Sequence, residues 1–197
     1  MGLVDRAITA VLGGSTGVNY PREWKPGMQR NEVEARLRSD APSLAGADLT
    51  GADLTRARME GAVLEDATLT ECSLHRAHAK RARFGRARMD GVNLRHADIV
   101  EADFSSAILT TADLSNANAL GARFVAADLA RAQLMQAVLE GADLSDASLL
   151  DADLSGAILR GASLRGARFA GADLDEVVLE AADTTGVDFT RSRNLVH

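Results

Sequence analysis

Residues 142–154 read Ala142-Asp143-Leu144-Ser145-Asp146-Ala147-Ser148-Leu149-Leu150-Asp151-Ala152-Asp153-Leu154. A leucine returns at every fifth residue. An alanine stands two residues before each leucine, and a short polar residue separates the two. The pattern runs outward in both directions without a frameshift, from Leu44 to Phe189. Its 30 central positions hold 19 Leu, 5 Phe, 2 Met, 1 Ile, 2 Ala and 1 Thr. The position two before is Ala in 25 of the 30, the exceptions being Pro42, Cys72, Val92, Val177 and Val187.

A period of five matches neither regular element. Five residues advance an α-helix by about 500°, so the large residues would smear around every face. On a flat strand an odd period would flip each successive leucine to the opposite side. A chain that bends once per repeat resolves both conflicts. The small and large residues, two apart, both point inward, and the residue between them points out. The next two residues make a corner. Gly46, Gly51, Gly61, Gly141, Gly156, Gly161, Gly166 and Gly171 lie there, as expected where a tight turn needs positive φ. The chain winds into a narrow coil with a hydrocarbon interior, and alanine keeps it narrow.

Longer spacings point to four units per turn. Phe84, Phe104 and Phe124 are 20 apart and are expected to stack. The undersized central residues Ala79 and Ala119 are 40 apart, and the outward apolar residues Val138, Ile158 and Val178 are again 20 apart.

Over residues 42–189 this A-(D/N)-L-x-x pattern resembles the pentapeptide repeat proteins. The resemblance implies an all-β solenoid, a right-handed quadrilateral parallel β-helix of about 7.5 coils. Stacking at ~4.8 Å would make it a rod ~36 Å long. No proline follows Pro42, in keeping with a ladder that needs every donor.

Solenoids need capped ends. Residues 1–41 lie outside the repeat and are read as a short, partly helical N-terminal cap, with helices over 5–12 and 31–38. In the cap reading, Trp24 or Leu37 plugs the first coil. In the other reading, Tyr20-Pro-Arg-Glu-Trp24 is a docking segment, since Trp, Tyr and Arg anchor interfaces. Residues 190–197 form a short tail, and Thr184 and Thr185 mark a decaying pattern that is either dimerised or frayed.

Composition limits the function classes. The 197 residues include a single cysteine, Cys72, which excludes a disulfide scaffold and a four-cysteine zinc site. No apolar run approaches the ~20 residues that span a bilayer. Met1 to Arg6 does not read as a signal peptide, so a cytoplasmic protein is expected. The net charge of −6 is uneven: residues 1–97 carry 15 Lys and Arg against 12 Asp and Glu, and residues 98–197 carry 7 against 16.

Catalytic signatures such as G-x-S-x-G, the phosphate-binding loop or H-E-x-x-H are missing from the sequence, and no cofactor is expected. Cys72, His75 and His78 have metal-like spacing, but the register points Cys72 inward and both histidines outward. Paired acids are repeat-derived, with no pocket for acid–base work.

Three surface features stand out. Asp103, Asp113, Asp143, Asp153, Asp173 and Asp183 are outward and form a candidate acidic face. Arg76, Lys80, Arg81, Arg83, Arg86, Arg88 and Arg95 form a candidate basic belt. The belt either binds phosphate or an acidic protein, or pairs with acids on adjacent coils, Asp103 for Arg83 among them. Val100, Leu120, Val138, Ile158 and Val178 map near one side as a candidate interaction strip, with self-association the simplest explanation. A bulge that turned Leu120 inward in place of Ala119 would break that strip.

The expected function is a non-enzymatic protein-interaction rod, a scaffold or adaptor. The resemblance implies an alternative, because some pentapeptide repeat proteins protect DNA gyrase or topoisomerase IV by imitating B-DNA in shape and charge. Such members are elongated, acidic dimers. This chain departs from them in its basic belt and in lacking a recognisable C-terminal dimerising helix.

Overall fold

A computed structural model describes residues 43–194. The proposed cap and docking residues Tyr20, Trp24 and Leu37 lie outside the described residues, as does Pro42. Every bridge in the described chain is parallel and joins residues 20 apart, from Ser43↔Val63 to Asp173↔Arg193. One turn therefore takes four five-residue units, as the phenylalanine spacing predicts. We number the sides by their bridged residues: side 1 holds 43, 63 and on to 183; side 2, 48 to 188; side 3, 53 to 193; side 4, 58 to 178. Each side is paired through a single bridging residue per turn, so the described chain has isolated bridges instead of long strands.

The unit Ala142–Asp146 shows why the backbone accepts this path. Ala142 N–H closes the preceding corner on Leu139 C=O at 3.0 Å. Asp143 N–H donates back one coil to Ala122 C=O at 2.9 Å, and Leu144 and Asp146 donate forward to Ser163 and Arg165, both at 2.8 Å. The fifth donor, Ser145 N–H, reaches the Asp143 carboxylate at 3.0 Å. All five amides are satisfied without a helix or a continuous strand, as buried backbone requires.

Each corner's second residue has positive φ, at every repeat from Gly46 to Gly186. The sequence leads one to expect glycine there. Non-glycine residues in fact outnumber it, Arg76 (φ 56°), Glu101 (φ 56°) and Ala126 (φ 54°) among them. The left-handed region is reachable for L-residues at a modest cost. The ladder bonds on both flanks of each corner hold the chain in it.

The core is one continuous column. From Ala57 to Leu164 each inward residue is at most 1% exposed. Phe84, Phe104 and Phe124 stack on side 1 with centroids 4.8 and 4.9 Å apart and planes within 4° and 3°. That separation is the coil spacing itself. The volume is balanced around the axis, for Ala79 precedes Phe84 by one unit and Ala119 precedes Phe124, all four fully buried. Leu120 remains outside at 43% exposure beside buried Ala119, so no bulge exchanges them. The packing loosens at the C-terminal end, where Val177, Leu179, Ala182, Val187 and Phe189 are only partly buried and Thr184 is exposed.

Candidate functional site: the outer surface

The sequence places its candidate residues on the outside, and the structure sorts them by side and corner. The acidic residues do not make one face. Asp103, Asp143 and Asp183 lie on side 1, and Asp113, Asp153 and Asp173 lie on side 3, across the coil. All six also carry a backbone duty. Each accepts the N–H of the residue two positions on, from Asp153–Ser155 at 2.9 Å to Asp173–Asp175 at 3.2 Å. Ser105, Ser145, Ser155 and Thr185 add their hydroxyls to the same oxygen at 2.5–2.6 Å. The corner N–H is the one donor the ladder leaves over, so aspartate acts as an Asx cap. Asp48, Asp128 and Asp188 do the same on side 2. Aspartate followed two residues later by Ser or Thr carried this signal in the sequence, and the charge reading missed it.

The carboxylates near the open end are held below their ordinary pKa. For Asp183 and Asp188 the first cause is the hydroxyl of Thr185 or Thr190, followed by the same residue's backbone N–H. For Asp173 it is the Asn194 amide, which donates at 2.9 Å.

The basic belt encircles one turn, as the sequence implies, and five of its seven members are paired to neighbouring coils. Arg81 meets Glu101 at 2.6 Å and Arg86 meets Asp66 at 2.7 Å, each one coil away at the same corner. Lys80–Asp98 and Arg95–Asp113 are both 3.3 Å and reach from a corner of one coil to a side of the next. Arg83 does not choose Asp103. It turns to Glu65, at 2.6 Å, while the Asp103 Oδ1 is occupied by the Ser105 N–H and hydroxyl. Arg76 and Arg88 make no ion pair among the described residues.

The apolar strip holds together in part. Val138, Ile158 and Val178 form consecutive bridges on side 4. Val100 and Leu120 sit one coil apart on the corner between sides 4 and 1. Exposed Ile108 (38%) was not anticipated and stands alone on side 2, between Arg88 and Asp128.

Cys72 is buried in the column, where burial first and then the charge of Asp53 push its pKa up to about 12. The thiol is enclosed in the column, whereas His75 and His78 stand on the outer surface. No group of three or more His, Cys, Asp or Glu among the described residues is arranged to hold a metal ion. No helix among them is long and apolar enough to cross a membrane.

The HetL protein of the cyanobacterium Nostoc sp. strain PCC 7120, involved in heterocyst differentiation regulation, is 30% identical over 75% of this chain and 84% of its own, with a TM-score of 0.43. QnrB1, a plasmid-mediated fluoroquinolone resistance protein, is 21% identical over 69% of this chain and 76% of its own, with a TM-score of 0.58, a likeness of fold. No curated protein matches. A profile of pentapeptide repeats matches in eight copies, over 47–86, 72–110, 87–124, 107–146 and 122–161. With more than half of its residues under that profile, and a bridge from each coil to the next, the chain belongs to the pentapeptide repeat family.

Proposed function

We propose that this chain is a non-enzymatic rod of about seven and a half right-handed turns, working in the cytoplasm as a scaffold or adaptor for a protein partner. The observation that carries the reading is the filled column: inward residues from Ala57 to Leu164 are at most 1% exposed. Recognition then rests on side chains displayed on the four sides, and side 4 offers the apolar ladder Val138–Ile158–Val178. A photo-reactive amino acid placed in turn at Ile158, Arg88 and Arg131 of the full chain tests it in cells. The expected result is a single defined protein adduct from Ile158 alone. Equal labelling from all three positions, or none from any, refutes the reading for side 4.

A second reading is a DNA mimic that binds DNA gyrase or topoisomerase IV and protects against topoisomerase poisons. The charge of residues 98–197, 16 acids against 7 bases, favours it, since an acidic rod attracts proteins that hold nucleic acid. The basic belt and the scattering of the acids over opposite sides count against it. Gyrase supercoiling in the presence of a quinolone decides: full inhibition at micromolar protein eliminates the mimic.

A further inference from the structure

One corner of the coil carries its charge in blocks. Between sides 3 and 4, the first coils present Arg56, His75, Arg76, Arg95 and His96. The middle coils present Ser115, Asn116, Met135, Gln136 and Ser155, and the last presents Asp175 and Glu176. The coil-to-coil register stacks these residues in one row. The Phe84, Phe104 and Phe124 planes lie within 4° from coil to coil, so those turns stack with little twist, and Phe169 and Phe189 toward the C-terminal end are tilted by 36°.

Among the described residues the acidic block makes no ion pair and the basic block makes one. His75 lies 5.7 Å from the His96 ring. Burial first, and then Arg76, His96, Arg95 and Arg56, hold its pKa below the ordinary value. Within the basic block Arg95 is the one residue with an acid among the described residues, Asp113 at 3.3 Å. Asp175 and Glu176 make no ion pair among the described residues. A shallow groove of about 280 Å³ follows the corner from Arg95 to Glu176. Along it Ser115 is 1% exposed, with its hydroxyl unpaired.

We propose that this corner is a self-recognition surface on which a second copy of the chain lies antiparallel. A two-fold axis crossing the rod between Asn116 and Gln136 sets Arg76 opposite Glu176 of the second copy and His75 opposite its Asp175. The same axis sets Asn116 opposite Gln136. The patch is self-complementary, as a two-fold interface must be. A nucleic acid would satisfy the basic block and be repelled by the acidic one. A second copy in reverse order brings Arg76 and His75 to the acids, while Arg95 keeps its own Asp113 and faces Ser155. The contact is narrow and built on exposed charges, so it is weak and salt-sensitive.

Sedimentation and small-angle scattering of the full 197-residue chain test the proposal. The expected species is a dimer no longer than one rod, dissociating as salt rises from about 0.05 M to about 0.5 M. Arg76→Glu and Glu176→Arg should each weaken it at least about tenfold. An equimolar mixture of the two single variants, and the double variant, should recover it, because each restores opposite charges across the axis. His75→Glu with Asp175→Lys repeats the design at neighbouring positions should either first variant misfold. A chain that stays monomeric at low salt, a dimer twice the rod length, or a mixture that does not recover would each overturn the proposal.

Discussion

Asp153 holds both the backbone N–H and the hydroxyl of Ser155, at 2.9 and 2.6 Å, on a single carboxylate oxygen. The outward aspartate of the repeat thus completes the hydrogen bonding of the corner that follows it. Replacing Asp153 by Ala should cost about 0.5–2 kcal/mol in urea denaturation, the range of a lost capping side chain. Asp153→Asn keeps an acceptor oxygen and should retain most of that stability.

The interior should respond to volume in both directions. Leu154→Ala is expected to cost about 2–5 kcal/mol through lost burial and the cavity left behind. Ala112→Leu should cost about 1–3 kcal/mol by overpacking a column with no spare room. Ala119→Leu should be milder in a Phe124→Leu background than alone, because the bulky ring beside it has been trimmed; a double-mutant cycle reads the difference.

Acid should weaken the rod. Asp66, Glu101, Asp183 and Asp188 all have folded pKa values below their ordinary ones, the first two chiefly through hydrogen bonds from Arg86 and Arg81. Folding therefore favours their ionised forms. Their contribution is complete above the ordinary carboxylate range, about pH 4, and is lost as pH falls through the depressed folded values. Thermal melting between pH 7 and pH 3 should show a flat upper limb and a falling acid limb. Asp66→Asn combined with Glu101→Gln should make that fall shallower.

Stability should also be graded along the axis. The amides of Leu94 to Leu154 lie under fully buried side chains, while Val177 to Phe189 are partly open. Hydrogen exchange should be slowest in the first region and fastest beyond Leu174, as local opening from a solenoid end predicts. Equal protection throughout would show that something covers the end.

Much of this was legible in the chain. The inward pair is fixed by covalent spacing, since two residues apart on an extended segment means the same side. The length of the turn was written in Phe84, Phe104 and Phe124, because identical rings stack only when the period brings them together. Partner choice among surface charges was not legible. Arg83 had acids within reach on the coil before and the coil after, Glu65 and Asp103. Arg83 takes Glu65, and serving a corner does not by itself decide the matter, since Asp113 caps Ser115 and still pairs with Arg95, a detail that side-chain geometry alone reveals. The acidic face failed for a related reason: net charge counts aspartates without asking which amide each one holds, or on which side it stands.

A coil built in equal quarters also has a rule for changing its length. Removing one five-residue unit anywhere before Val138 would rotate every later side by a quarter turn and bring the Val138–Ile158–Val178 ladder beneath a different set of upstream neighbours. Removing four units would delete one storey, about 4.8 Å of height, and leave each compass direction as it was. Insertions and deletions in such a molecule act as rotations first and as truncations second, so its surfaces can be reassorted by events that never touch the column within.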